Sequence, residues 1–423
     1  MPIISNINNS PAMKRLLFFL TLALMTMPML IADEPYVYND YYWQRSSLFE
    51  KLPIGTADIV FVGNSLTDNG EWHELFRSPA VKNRGIISDV VQGISDRIGS
   101  VTAGHPRKIF LLSGANDISH HITADSLAQA MEKLIVKIKE QSPESEIYLQ
   151  SLLPINNDFH RYRNLVGTEQ VFVDGNALLE QVAKRQGVTW VNLFPAFADA
   201  EGKLRKELTA DGLHVNAEGY RIWRREVAKY VGLPFDDEGE VYPIGAADVV
   251  MVGNGLIAGC EWHELLRCPQ VKSRPYYAAE VAPLPQAAAK VAAAKPAKIF
   301  LLAAYDRLSG DFAPDTVVRT VERAIREVKR ISPATTVVVM GLVPVSPAYE
   351  KYATFADVVP AKIQATNRRL RDIAKRNGAK WVDLMPVLAD DNGHLRADYT
   401  NDGFHLMGNG YAAWGEALAK FFR

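Results

Sequence analysis

Cysteine is nearly absent. The 423 residues hold two, Cys260 and Cys268, which excludes a disulfide-stapled scaffold and a cysteine-rich structural zinc site. The EWHELLR stretch between them reads as helix, and ~12 Å of helix keeps two thiols apart, so both are expected to stay unpaired. An excess of charge is also missing, with 47 Lys+Arg against 48 Asp+Glu. No global basic field exists for gripping a phosphate backbone, which excludes nucleic acid as the main partner. Long apolar runs are confined to one place: Leu16 to Ala32 carry no charge, follow Met13-Lys14-Arg15 and precede Asp33-Glu34. This is the layout of a secretory signal peptide over residues 1–32, with Met13 as an alternative start. An uncleaved anchor is the other possible fate, because the run reaches the lower end of the ~17 to 25 residues that cross a bilayer. Pro28 and the lack of positive charge after the run favour cleavage. The mature chain is then expected to have no stable membrane span, a net charge of −3 and an address outside the cytoplasm, periplasmic or secreted.

What is present is written twice. Residues 52–85 match residues 242–275 at 20 of 34 positions, at an offset of 190. The register continues through KIFLL at Lys108–Leu112 and Lys298–Leu302. It reaches DGLHVNAEGY (Asp211–Tyr220) against DGFHLMGNGY (Asp402–Tyr411) at an offset of 191. A period this long exceeds any solenoid repeat, so each copy is expected to hold its own core. The expected domains are 33–235 and 240–423, joined through the polar Gly232–Gly239 segment. Within a copy, ADIVFVGN, KIFLLSG, EIYLQSLLP and VTWVNLFP read as buried strands. EWHELFRSPAV, ADSLAQAMEKLIVKIKEQ and VDGNALLEQVAKRQG read as helices, with Leu127, Met131, Leu134 and Ile138 on one face. Alternation of this kind predicts an α/β fold: two tandem three-layer α/β/α domains with parallel sheets, whose ligands bind beyond the carboxyl ends of the strands.

Four short elements of the first copy fall at those ends: Gly63-Asn64-Ser65-Leu66, Asn83-Arg84-Gly85 just before a strand, Gly114-Ala115-Asn116-Asp117, and Asp211-Gly212-Leu213-His214. Singly each can be a turn or a cap. Jointly they supply what acyl transfer needs. Ser65 is a nucleophile once a base removes its proton, His214 is that base, and Asp211 fixes the histidine's tautomer. The N–H groups of Ser65 and Gly85 and the amide of Asn116 are candidate donors to the developing oxyanion.

These residues resemble the SGNH, or GDSL-like, hydrolase family, whose name spells Ser65, Gly85, Asn116 and His214 as they stand here; its GDS appears as Gly63-Asn64-Ser65. The Tyr41-Tyr42-Trp43-Gln44-Arg45 segment is similar to exported bacterial acetylhydrolases and sialate O-acetylesterase-like members. The resemblance implies a flavodoxin-like fold and a serine esterase with no cofactor and no metal. The enzyme would remove short acyl groups, acetyl foremost, from a carbohydrate through an acyl-Ser65 intermediate. A lipid acylhydrolase, such as a lysophospholipase or a platelet-activating-factor acetylhydrolase-like enzyme, and a non-catalytic glycan-binding protein remain as alternatives. Oligomeric state is left open.

The second copy gives a different answer at the same positions. Ser65 aligns with Gly255, Gly85 with Pro275, Gly114 with Ala304 and Asn116 with Asp306, while Asp402 and His405 remain. A base without a nucleophile predicts a catalytically silent domain. His73 and His263 recur inside EWHEL in both copies, which points to shared structure. His120-His121 and the arginines of the Asn156–Arg163 loop are read as solvated, while the loop itself, which follows a strand end, is a candidate for substrate binding.

Overall fold

Short apolar runs, buried on both faces, build two parallel sheets of five strands. In the first half β1 (Ile59–Gly63), β2 (Val81–Gly85), β3 (Lys108–Leu112), β4 (Glu146–Gln150) and β5 (Thr189–Val191) lie in the order β2-β1-β3-β4-β5. The second half repeats the order as β7-β6-β8-β9-β10, from β6 (Val249–Gly253), β7 (Val271–Pro275), β8 (Lys298–Leu302), β9 (Thr336–Met340) and β10 (Lys380–Val382). The computed structural model describes residues 36–234, 239–276, 281–305, 312–349 and 357–422. The expected leader, the middle of the Gly232–Gly239 joint and Asp306 lie outside the described residues. Among the described residues no helix is long and apolar enough to cross a membrane.

Period-two alternation sends the β1 side chains to two cores. Val60 and Val62 join Ile109, Leu111 and Met131, whereas Ile59 and Phe61 join Trp72, Phe110 and Trp223. Phe61 stacks on Trp72 at 3.9 Å and on Phe110 at 4.6 Å between ring centroids. Around this sheet run α1 (Asp40–Phe49), α2 (Ser65–Asp68), α3 (Trp72–Leu75), α4 (Val91–Arg97), α5 (Ala115–Ser119), α6 (Ala124–Gln141), α7 (Glu169–Gln186) and α8 (Ala217–Val231). In α6 the predicted face of Leu127, Met131, Leu134 and Ile138 is wholly buried. The second half has α9 (Gly255–Ala258), α10 (Trp262–Leu265), α11 (Leu284–Ala292), α12 (Pro314–Ile331), α13 (Pro360–Arg376) and α14 (Gly408–Leu418).

One local expectation changes. EWHELFRSPAV is not one helix: α3 ends at Leu75 and Val81 opens β2, so Asn83 to Gly85 lie inside a strand rather than before one. The Tyr41–Arg45 segment is helical as part of α1, capped by Asn39, whose side chain accepts from the Tyr42 N–H. Cys260 and Cys268 are both free thiols.

Residues 38–423 form one compact unit, and the halves meet through equivalent surfaces. The Arg84 guanidinium donates to both Glu264 oxygens at 2.9 and 2.8 Å, and Arg274 donates to both Glu74 oxygens at 2.8 Å. Arg84 and Arg274 are repeat equivalents, as are Glu74 and Glu264. The contact is therefore isologous, of the kind that relates the subunits of a two-fold dimer. His73 and His263 stack at its centre, with ring centroids 3.5 Å apart. Burial lowers the pKa of His73, and burial beside His73 holds His263 well below its ordinary value, so two neutral rings share the axis.

Candidate active site

The strand order reverses between β1 and β3, the place where an open parallel sheet leaves a crevice for ligand. β1 ends at Gly63, where a Cβ would stand 2.3 Å from the Leu112 carbonyl oxygen and from Thr67 Oγ1. Only glycine lets the chain turn this tightly into α2. Asn64 caps that helix by accepting from the Leu66 N–H at 3.1 Å, so asparagine does without charge what an aspartate would do there. Ser65 then opens the first turn, and its N–H is among those that a helix leaves without an intrahelical partner.

Three side chains form a hydrogen-bonded chain. Ser65 Oγ lies 2.9 Å from His214 Nε2, and His214 Nδ1 lies 2.7 Å from Asp211 Oδ2. The carboxylate fixes the proton on Nδ1 and leaves Nε2 to accept from the serine hydroxyl. The Asp211–His214 turn is itself rigid. Asp211 Oδ1 accepts from the Leu213 and His214 N–H groups at 3.0 and 2.8 Å, and Thr209 Oγ1 accepts from the Gly212 N–H at 2.9 Å. Gly212 has a φ of 87° and packs against the Asn156 carbonyl, which leaves no room for a side chain. Burial would raise the Asp211 carboxyl, but the hydrogen bonds from His214, the two N–H groups and Tyr162 outweigh it. They hold the group well below the usual carboxylate range, so it stays ionised beside the histidine.

Tyr162 was not among the residues singled out in the sequence. Its hydroxyl donates to Asp211 Oδ2 at 2.8 Å and lies 3.1 Å from His214 Nδ1. Within the Asn156–Arg163 loop it is the tyrosine, flanked by exposed Arg161 and Arg163, that reaches the site. The one available signal was an aromatic residue with a polar tip in a loop following a strand end. His120 and His121 are exposed, as the solvated reading expects.

Gly85 ends β2 and Asn116 lies in α5, just beyond the end of β3, the strands on either side of the β1 strand that leads to Ser65. The Gly85 N–H donates to Asn83 Oδ1 at 2.8 Å, so it reaches an oxyanion by sharing or leaving that partner. A Cβ at Gly85 would come within 2.1 Å of the Asp68 nitrogen, which makes this close approach to α2 a second reason for glycine. Asn116 spends one amide hydrogen on the Asp89 carbonyl at 2.8 Å; the other remains for a ligand. Next to it, burial pushes the Asp117 carboxyl up to about 6 despite the Val91 N–H donated to it at 3.1 Å.

In the second half the same turn is kept. His405 Nδ1 lies 2.7 Å from Asp402 Oδ2, and Asp402 Oδ1 accepts from the Phe404 and His405 N–H groups. Gly255 stands where the serine would be, and Pro275 ends β7 where Gly85 ends β2. Asp402 is instead engaged by the first half, accepting from Gln44 Nε2 at 3.1 Å. Among the described residues, Glu71, His73 and Glu74 bring ligand-type atoms within 4.8 Å of one another. Both Glu74 oxygens are already taken by Arg274, so we assign this cluster to the interface.

A profile of the GDSL-like lipase/acylhydrolase family matches residues 61–222 and, a second time, residues 270–413. The chain is 28% identical over 181 residues to an N-acylneuraminate cytidylyltransferase of Escherichia coli O18:K1:H7, a span of 41% of this chain and 40% of that protein. It is 26% identical over 170 residues to the platelet-activating factor acetylhydrolase IB subunit alpha2 of Rattus norvegicus, covering 38% of this chain and 71% of that one. A solved GDSL-like lipase from Bacteroides thetaiotaomicron aligns over 45% of this chain and 97% of its own, at 22% identity and a TM-score of 0.41.

Proposed function

The chain belongs to the GDSL-like lipase/acylhydrolase family, and from that membership we propose an exported serine esterase that removes short acyl groups, acetyl foremost, from a carbohydrate. The observation that carries the reading is the unbroken Ser65–His214–Asp211 hydrogen-bonded chain. His214 Nε2 takes the Ser65 proton as Oγ attacks the ester carbonyl. Negative charge moves to the carbonyl oxygen, opposite the Ser65 N–H, the Gly85 N–H and the Asn116 amide; losing one such donor raises the barrier by ~2.7 to 4 kcal/mol. His214 gives that proton to the departing sugar oxygen, which leaves as the free hydroxyl, and acyl-Ser65 remains. Water, deprotonated by the same histidine, attacks the acyl carbon; the bond to Oγ breaks, the acid leaves and His214 returns the proton to Ser65. The chemistry assigns no role to a cofactor or a metal.

The short acyl group finds support in the rat relative, which is named an acetylhydrolase. The carbohydrate finds support in the Escherichia coli relative, whose name places an acylated sugar acid among its reactants. Export rests on the Leu16–Ala32 run. In this proposal the second half is silent, because Gly255 offers no hydroxyl.

Acetate release from a panel of O-acetylated glycans, alongside p-nitrophenyl esters of rising chain length, tests the substrate class. Rates are expected to peak at two to four carbons, roughly, and to fall beyond, since a pocket fitted to a small group gains little from added methylenes. A maximum at about eight carbons or longer would favour a lipid substrate instead. Tyr162→Phe is expected to lower kcat about 3- to 10-fold with KM nearly constant, because the lost hydrogen bond to a charged partner acts through the His214–Asp211 pair. Steady-state kinetics on the acetyl ester check this, and an unchanged kcat would reduce Tyr162 to a loop anchor.

A further inference from the structure

α1 lies between the two halves, and one of its side chains touches both. Arg45 is 1% exposed. Its guanidinium donates to the Glu261 carboxylate at 2.6 Å and to the Gly259 carbonyl at 2.9 Å, both in the second half. The same guanidinium lies 3.2 Å from Asp68 Oδ1 in the first half. The other Asp68 oxygen accepts from the Tyr41 hydroxyl at 2.8 Å and from the Ile87 N–H at 3.2 Å. Asp68 closes the helical turn that Ser65 opens, and Ile87 stands two residues beyond Gly85. The Asp68 carbonyl also accepts from Asn83 Nδ2 at 2.9 Å, the carboxamide whose oxygen holds the Gly85 N–H. Asp68 is thus a bracket between the nucleophile turn and the strand end that carries an oxyanion donor.

We propose that Arg45 is a positioning residue for ester hydrolysis: anchored on Glu261 and Gly259 of the second half, it balances Asp68 and so fixes the Ser65 turn against the Gly85–Ile87 segment. The proposal rests on Ser65 being the nucleophile. Burial pushes the Asp68 carboxyl up against the pull of Arg45, so without the arginine its charged form is less favoured and grips the Ile87 N–H less firmly. The second copy argues the same way by contrast. Its equivalent of Asp68 is Ala258, and there the nucleophile and the glycine are gone as well, replaced by Gly255 and Pro275. The bracket stands where there is chemistry to align. The silent half then has a task in the reaction, which is to hold the arginine.

The test uses the full chain, with kcat and KM for p-nitrophenyl acetate, the rate of fluorophosphonate labelling, and the melting temperature as a control on folding. Arg45→Met is expected to lower kcat and the labelling rate by about 10- to 100-fold while KM moves less than about twofold, as a small displacement of reacting groups does. Arg45→Lys recovers part of the loss. Glu261→Gln, which keeps shape and an acceptor, is expected to lower kcat about 3- to 10-fold, although it sits in the half without a nucleophile. Because both act through one guanidinium, the double variant should be no slower than Arg45→Met alone. If Arg45→Met does not fold, Glu261→Gln decides. A wild-type kcat in a folded Glu261→Gln or Arg45→Met, a loss confined to KM, or losses that multiply in the double variant would each overturn the proposal. A wild-type chain that neither hydrolyses the ester nor takes the label would instead defeat the reading of Ser65, and the role of Arg45 would fall with it.

Discussion

Ser65→Ala in the full-length chain is expected to abolish ester hydrolysis, a fall of roughly 10⁴-fold or more in kcat, and to abolish fluorophosphonate labelling. The size of the effect follows from the division of labour in the triad. Without Oγ no acyl-enzyme forms, and His214 and Asp211 have no proton to move. What remains is binding and the oxyanion donors, which act on water alone. The second half is not expected to take over: its Asp402–His405 pair is built like Asp211–His214, with 2.7 Å between ring nitrogen and carboxylate in both, but Gly255 holds the position of the serine and offers no hydroxyl. The variant should fold normally, since what Ser65 Oγ contributes among the described residues is its hydrogen bond to His214. Residual turnover above about one part in a thousand, with labelling at a second serine, would show that the halves share the work.

Arg84→Met is expected to cost about 3–5 kcal/mol of stability, read by chemical denaturation, because it leaves a buried carboxylate with only the more distant Lys82, 3.6 Å away, to balance it. Burial alone would raise Glu264, and Arg84 and Lys82 reverse that to about 2. A folded value below the unfolded one of about 4.3 means that the pair's contribution is present above pH 4.3 and fades as the pH falls towards 2. Wild-type stability should therefore decline across that window, and the decline should flatten in Arg84→Met. Replacing Arg84 and Glu264 together by apolar residues should recover much of the loss. A loss below about 1 kcal/mol for the single change would mean that the interface does not depend on these pairs.

Local pattern carried the reading wherever the interactions are local. The face of α6 is visible in Leu127, Met131, Leu134 and Ile138, and β1 and β3 are visible as apolar runs between turn residues. The duplication carried more still, since it let the site be compared with its own altered copy. β2 escaped because VKNRG is polar on paper: Lys82 and Arg84 belong inside only because Glu264, 180 residues later for Arg84, receives them. α1 escaped for the same reason. Tyr42, Gln44, Arg45, Leu48 and Phe49 are all buried, so no single apolar stripe exists to be read. Tyr162 meets Asp211 across 49 residues of chain, and no spacing rule links a loop tyrosine to the Asp211–His214 turn.

The isologous contact also changes how the protein responds to dilution. In a dimer of separate chains, a surface built from reciprocal Arg–Glu pairs empties as the concentration falls below its dissociation constant. Here the two faces are parts of one polypeptide and meet at an effective concentration on the order of millimolar, whatever the concentration outside. The chain keeps its partner face at any dilution, so its specific activity should be constant from micromolar to picomolar.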